Sequence, residues 1–539
     1  MELDFDGDQL SLALGLPLCT AGGHAIPGSA SSTCCRPGAS TAEEIFDWHS
    51  SGWMMLGSNG GAHVRRSDGT DTLPASLKKV LFETGLELLS DCSGAGCPEE
   101  TVKRMLASGY QQLGLPSSTR HKVRFLRAGD IEPHCQQILL HKSESDESDL
   151  QPECVMGDIL ARCSEQDKQK MEQYRQDGLA TVKSFTSKVA RKWAVVREGK
   201  KCFKKMAKHM FKPGRVDHTT LVAKCFVHDK LCRVLPEPRP NQTDDAAASC
   251  PIRLFVAGVI CHHWSAMGER SGWLGASCLV FLQVISELKA SDADAGVLEC
   301  TTEFDETTGL SPILDEFQVV VLRFSPTMLG LPCSRPRVYM LVTRKSRLRW
   351  RTSIEDAGCS KVFEDLFGRR LVASGEILVR APADEVDEHV QEMALRRGLP
   401  AMQANGRKWK FDRVLAPGMR HRLKRYRTIA AKHPAFPNVF CNLRQQPGHG
   451  PISTTIPALL QSSVIYSFKH NRALLPKEHF EAMGYKMWGE RRAAFAEALS
   501  ATQSEAQMRS LAGNGMHSAA VGAAIMFLLA GTCRVQNLW

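Results

Sequence analysis

Apolar and polar positions divide the chain into distinct regimes. Up to residue 160, Gly, Ser and scattered Cys dominate without a sustained period, and an acidic serine stretch runs from Ser143 to Asp149. This pattern predicts a mostly flexible N-terminal arm with a few short helices. From Ser164, with Asp167 as its capping partner, a helical period begins, and it turns strongly basic between Lys183 and Arg215, where Glu198 is the only acid. A Pro- and Asn-rich linker over 236–249 closes that segment. Short apolar runs then alternate with helical ones: strands are predicted over 253–260, 296–299, 317–324 and 338–343, and an amphipathic helix over 276–289. The alternation predicts an α/β, doubly wound mixed sheet, an architecture that holds ligands beyond the carboxyl ends of its strands. Cys261 and Glu299 both fall at that edge, directly after apolar strands.

Composition narrows the classes. The 539 residues are 43% hydrophobic and 23% charged, enough for two or three domains around a large core, which excludes a chain disordered throughout. A net charge of +10 makes a polyanion a natural partner. Nineteen cysteines spread over a chain of this size read as reduced thiols in the cytosol or nucleus. The apolar run from Leu10 to Leu18 follows acids where a secretory leader has bases. The apolar stretch 519–530 is shorter than the roughly 20 residues that span a bilayer, so a buried helix and no membrane association are expected.

Two clusters bear on ligands. Lys200, Lys201, Lys204, Lys205 and Lys208, with Trp193 and Phe203 interleaved, suit phosphate contact along a nucleic acid; a solvated helix face or a nuclear-import signal has the same composition. Cys225-x2-His228-x3-Cys232 offers three metal ligands, with His218 or Cys202 as a fourth. The second cysteine pair of a zinc framework is missing, so ordinary thiols and no metal are expected.

The residues Val259-Ile260-Cys261-His262-His263-Trp264-Ser265-Ala266-Met267-Gly268, continuing to Arg270 and Gly272, carry a more specific pattern. They resemble the Pro-Cys-Gln loop of the cytosine-5 DNA methyltransferases, keeping its Cys, Ser and both glycines and offering Trp264 for the aromatic. Glu299-Cys300-Thr301 resembles the family's Glu-Asn-Val element, and Cys333-Ser334-Arg335-Pro336-Arg337 its Gln-x-Arg-x-Arg motif. Arg472-x-Leu474-x-Pro476-Lys477-Glu478 with Met483-Gly484-Tyr485 resembles the ninth motif, and Gly513-Asn514 the tenth. Five elements stand in the family's order between Arg253 and Ala530.

The resemblance implies a Rossmann-like methyltransferase core with a smaller basic inserted domain, a monomer working on DNA in the nucleus with S-adenosylmethionine as methyl donor. It implies Cys261 as the nucleophile that adds to carbon 6 of a flipped-out cytosine. Glu299 would contact the ring nitrogen and exocyclic amine, while Arg335 and Arg337 position the nucleotide and its phosphate. Gly513 and Asn514 would lie near the methionine end of the cofactor. The expected domains are the arm (1–160), a basic helical segment and linker (161–250), the catalytic core with the Cys261 loop (251–350), a variable target-recognition region (351–450) and a return to the core (451–539). That variable region carries Arg344, Lys345, Arg347, Arg349 and Arg351, then Arg407, Lys408, Arg420, Arg422, Lys424, Arg425 and Arg427, in keeping with DNA contact.

The pattern also departs from the family. Ile260 stands for its proline, Cys300 for its asparagine and Cys333 for its glutamine, and the family's Phe-x-Gly-x-Gly-Gly cofactor loop has no counterpart between Leu150 and Pro251. The string Phe5-Asp6-Gly7-Asp8 lacks the further glycines and lies too far off. Loss of that loop favours a catalytically inactive, methyltransferase-like DNA-binding protein; retention of Cys261, Glu299, Arg335 and Arg337 together favours the enzyme. A Cys-His hydrolase built on His262 or His263 is disfavoured, because neighbours on an extended loop point in different directions.

Overall fold

The structure is a computed structural model that describes residues 36–60, 72–116, 118–141, 150–212, 221–237, 239, 250–259, 262–265, 268–489 and 494–535. Its centre is a nine-stranded mixed sheet. In chain order the strands are β1 (Leu86–Asp91), β2 (Val123–Gly129), β3 (Val155–Met156), β4 (Val222–Cys225), β5 (Lys230–Arg233), β6 (Ile252–Gly258), β7 (Ala295–Cys300), β8 (Phe317–Phe324) and β9 (Arg337–Arg344). They lie side by side as β5-β4-β3-β2-β1-β6-β7-β9-β8. Strands β3, β2, β1, β6 and β7 run parallel, and β9 runs antiparallel between β7 and β8. This is the doubly wound α/β mixed sheet expected from the alternation. The predicted strands 253–260, 296–299 and 338–343 differ from β6, β7 and β9 by no more than two residues at either end, and 317–324 coincides with β8.

Both faces of the central strands are buried, so alternate side chains enter different cores. Leu254 and Val256 of β6, with Ala295 and Val297 of β7, pack under one helical layer. That layer contains α1 (Trp48–Gly60), α2 (Leu73–Lys78) and α3 (Cys97–Gln112). Phe255, Ala257, Leu298 and Cys300 face the other layer, formed by α4 (Glu165–Lys183), α5 (Lys188–Met210) and α6 (Ser277–Ala290). Ser164 caps α4 as expected, its hydroxyl accepting the Asp167 N–H at 3.1 Å. The apolar stretch near the C-terminus forms α7 (Ser518–Gly531), buried along its whole length against α1, α2 and α3.

Two expected boundaries are corrected. The segment assigned to a flexible arm supplies β1, β2 and β3, three strands of the sheet. The apolar runs of β1 and β2 are interrupted by the buried Ser90, Asp91 and Arg127, which the core accepts only because Asp91 pairs with Arg127 and Arg162 and the Ser90 hydroxyl bonds Ser93 and Glu99. Residues 1–35 lie outside the described residues. The variable region is also displaced. Its own core runs from Val390 through Leu423, Tyr426 and Phe468 to Ala473, around the small sheet β10 (Phe440–Asn442), β11 (Ile465–Ser467) and β12 (Arg472–Ala473). Residues 359–367 instead cover the main sheet, where the Phe363 ring lies 4.8 Å from that of Phe324. The smaller inserted domain therefore extends beyond residue 450.

Candidate functional site

The chain runs outward from β1 to β3 on one side and from β6 to β9 on the other, so the topological switch point lies between β1 and β6. In such a sheet the crevice beyond the carboxyl ends of those two strands is the ligand position. Pairing sets one row across it: Asp91 opposite Ala257, Gly258 opposite Glu299, and Cys300 opposite Val338, one residue from Arg337.

On the β1 side the chain leaves the sheet through Cys92-Ser93-Gly94-Ala95-Gly96 and enters α3. Cys92, Gly94 and Gly96 all have left-handed backbone, with φ of 51°, 57° and 77°, a path glycine follows at no steric cost. The turn is pinned to β2: the Ser93 N–H donates to Gly129 O at 3.1 Å and the Gly94 N–H to an Asp130 carboxyl oxygen at 2.8 Å. The first turn of α3 carries Glu99 and Glu100. Burial pushes the Glu99 carboxyl up to about 7, although Ser90 donates to it. Its second oxygen has no hydrogen-bond partner among the described residues and sits 3.7 Å from where a Cβ on Gly96 would be.

This glycine turn is the feature that the sequence reading missed. It lies far upstream of residues 150–251, because α4, α5, β4 and β5 are interposed between β3 and β6. The usable signal was Ser93-Gly94-Ala95-Gly96 following an apolar run and preceding a helix with Pro98 at its start.

Beneath the turn lies a charge cluster closed to water. Asp91 and Glu287 are both bound by Arg127 and Arg162: Arg162 reaches them at 2.8 and 2.9 Å, Arg127 reaches Glu287 at 2.8 Å and also pairs with Asp91. Two cations and two anions balance. Even Gly129 is committed, since a Cβ there would fall 2.5 Å from Asp91 and 2.7 Å from Arg162.

On the β6 side, Cys261 itself lies outside the described residues. The chain before it is fixed, with the Val259 N–H donating to Glu299 O at 2.9 Å. The chain after it is held by Trp264, whose ring meets those of Trp273 and Phe304 at 5.0 Å each. Both histidines of the loop are engaged elsewhere. His263 Nδ1 lies 2.7 Å from the Ser277 hydroxyl, and His262 stands 3.6 Å from Glu269. Glu299 is buried and forms a 2.9 Å ion pair with Arg337 Nε.

Arg335 has a different role from the one expected. Its guanidinium donates to three main-chain carbonyls, Leu459 at 3.2 Å, Gly513 at 3.2 Å and Gly515 at 2.6 Å, and burial pulls its pKa down to about 10. It fastens the turn containing Gly513 and exposed Asn514 to the sheet edge rather than offering its fork to a phosphate. That turn reaches the glycine turn, because a Cβ on Gly94 would lie 4.0 Å from Gly515 Cα. Gly513 is required by contact, as a Cβ there would meet Leu460 at 2.3 Å. Thus Glu299, Arg337, Arg335 and the 513–515 turn gather at one edge.

Of the departures from the family pattern, Ile260 lies outside the described residues. Cys300 and Cys333 are packed in apolar cores, and burial pushes the Cys333 thiol up to about 12. Arg472 and Glu478 form a buried two-pronged pair at 2.7 Å that joins the inserted domain to the main one.

Basic residues separate into structural and exposed groups. Arg344 and Arg347 pair with Glu316, Asp292 and Asp294 at the opposite end of the sheet, and Arg351 is buried against Ser76 and Ala530 O. These three do not face the crevice, because β9 runs away from it. Arg420, Lys424 and Arg425 are exposed on the helix Pro417–Ala430, as are Arg407 and Lys408 beside it. On α5, Lys204, Lys205 and Lys208 are exposed with Trp193, whereas Phe203 is buried against Trp273. Lys200 pairs with Asp305 at 3.0 Å, close after β7, so α5 flanks the crevice. Cys202 lies in the apolar core under α5, apart from Cys225 and His228, and His218 is outside the described residues.

No family model matches the chain, and no curated protein does. Among solved structures, the S. pombe Dnmt2 methyltransferase is similar at 13% identity and a TM-score of 0.35, over 82% of this chain and 98% of that one. The Entamoeba histolytica methyltransferase EhMeth is similar at 10% identity and a TM-score of 0.34, over 82% and 98%. At these values no residue's role carries across.

Proposed function

We propose that this chain is an S-adenosylmethionine-dependent cytosine-5 methyltransferase acting on DNA through Cys261. The observation that carries the reading is the meeting, at one switch-point crevice, of a left-handed glycine turn with an acidic helix start and the edge formed by Glu299 and Arg337. A dinucleotide would bring its pyrophosphate to the start of α3, where the acids Glu99 and Asp130 offer it no cation; Glu100 is already paired with Arg104 at 2.8 Å. A nucleoside bearing a cationic sulfonium fits those acids and the unpartnered Glu99 oxygen. When bound, it supplies an electrophilic methyl group.

The chain's own residues account for the remainder. The Cys261 sulfur adds as thiolate to carbon 6, which makes carbon 5 nucleophilic. Glu299, oriented by Arg337, holds the ring nitrogen and amine of the extruded base. After methylation water takes the carbon 5 proton, its electron pair reforms the 5,6 double bond, and the Cys261 sulfur leaves carbon 6 as thiolate. Exposed bases on α5 and on the helix 417–430 suit the phosphates of the substrate, in the nucleus if that substrate is chromosomal DNA. The inactive alternative drew its force from a missing glycine turn; Ser93–Gly96 supports the enzyme instead.

Calorimetry of the full chain with S-adenosylmethionine, beside methyl transfer to duplex DNA, tests this. Gly94→Val forces a β-branched residue into left-handed backbone, about 1–2 kcal/mol of strain, and fills the turn. Binding and transfer should both be lost while the chain stays folded. Unchanged binding in that variant contradicts the reading, and transfer to structured RNA but not DNA reassigns the substrate.

A further inference from the structure

At the far edge of the sheet, remote from the crevice, four side chains point at one another. Cys154 precedes β3, Cys225 ends β4, His228 lies in the turn that follows, and Cys232 lies in β5. One ligand atom from each falls within 4.8 Å of all the others. His228 Nδ1 is 3.4 Å from the Cys225 sulfur, 3.5 Å from that of Cys232 and 3.8 Å from that of Cys154.

These separations are informative. A tetrahedral zinc with Zn–S of about 2.3 Å and Zn–N of about 2.0–2.1 Å sets S···N at about 3.6 Å. The three observed values bracket it. All three cysteines are free thiols.

The local fold calls for such a centre. The hairpin of β4 and β5 is two strands of four residues, and Val222, Phe226, Val227 and Leu231 are all exposed on it. The hairpin joins the sheet through one pairing, Met156 with Cys225, and a structural metal would supply folding energy at that edge. The sequence alone offered three ligands; β3 delivers the fourth, Cys154, from a distant part of the chain.

The geometry points to a structural zinc site formed by Cys154, Cys225, His228 and Cys232, independent of the methyl-transfer reading. Four protein ligands leave no open position, which marks a structural rather than a catalytic centre. The ion would clamp the hairpin to β3, whose continuation carries Arg162 into the buried charge cluster beneath the glycine turn.

Elemental analysis of the full chain purified without chelator should find about one zinc per chain. Cobalt(II) exchanged into it should give the intense visible bands and sulfur-to-metal charge transfer of a tetrahedral thiolate site. His228→Ala, Cys232→Ser and Cys154→Ser should each lose most of the metal, whereas Cys163→Ser, outside the cluster, should keep it. Because His228 is exposed and Cys232 half-buried, those two variants should still fold, as circular dichroism would report. Less than about a tenth of an equivalent after incubation with zinc under reducing conditions overturns the proposal. So does a disulfide among the three cysteines in the native chain, or full retention of zinc in Cys154→Ser. Metal content is read without cofactor or DNA, so its failure and that of the enzyme reading are separable.

Discussion

The two sides of the crevice are built differently. On the β1 side every strand end runs into fixed structure: the glycine turn is bonded to β2, and Asp91, Arg127, Arg162 and Glu287 form a closed cluster under it. On the β6 side Glu299 pairs with Arg337 at the edge, Lys200 with Asp305 and His262 with Glu269 stand apart from it, and among the described residues of the loop Trp264 packs on Trp273 and Phe304. The first is a cradle assembled before any ligand arrives, which lowers the cost of binding. The second holds separate pairs rather than one sealed cluster, which would suit a side that receives and releases a base under the proposed function.

The contrast is sharpest in what each side tolerates. Arg162→Met leaves Asp91 and Glu287 with one cation between them in a space sealed from water. Breaking such a buried set costs about 3–5 kcal/mol, so the urea midpoint should fall by that equivalent and cofactor binding should weaken with it. Glu299→Gln should differ: a smaller stability loss than Arg162→Met, because the near-isosteric amide still accepts from Arg337, which also donates to Pro336 O, with cofactor affinity kept and adduct formation on cytosine slowed about 10²–10³-fold. If both variants lost stability alike, the two sides would not differ as described.

The joint between the sides answers to pH. His517 lies next to the turn that Arg335 fastens, and burial holds its pKa down to about 3, with Arg335 adding to the effect; His49 and His479 are held as low by burial. Because the folded values lie below the unfolded value near 6.5, the unfolded chain takes up protons first as pH falls. Stability is therefore intact above pH 6.5 and declines from there toward pH 3. The decline at pH 5 is about 2 kcal/mol per histidine. Burial raises the Glu99 carboxyl to about 7 and that of Glu481 to about 8, which offsets part of this decline in the whole chain. The His517 share is therefore measured by thermal unfolding of the parent and of His517→Gln at pH 7 and pH 5; an equal change in both would contradict it.

The same contrast explains what the sequence disclosed. Strands β6 to β9 were legible because their buried faces are filled with Val, Leu, Ile and Phe, giving uninterrupted apolar runs. Glu299 and Arg337 could be picked out because they end or begin such runs. Strands β1 and β2 were illegible because their buried positions include Ser90, Asp91 and Arg127, whose partner Arg162 comes from elsewhere in the chain. The role of Arg335 was hidden for a related reason. Its acceptors are carbonyls at residues 459, 513 and 515, and main-chain acceptors leave no trace in a sequence. Cys154 was invisible as a partner of Cys225 and His228 because only the pairing of β3 with β4 brings them together.

The central claim is that Cys261 attacks cytosine while the β1 side holds the methyl donor. The most direct measurement incubates the full chain with S-adenosylmethionine and duplex DNA containing 5-fluorocytosine, in which the carbon 5 proton cannot leave and the covalent complex is trapped. A denaturation-resistant adduct should form, vanish in Cys261→Ala and persist in His262→Ala. No adduct in the unaltered chain, together with no cofactor binding by calorimetry, would contradict it.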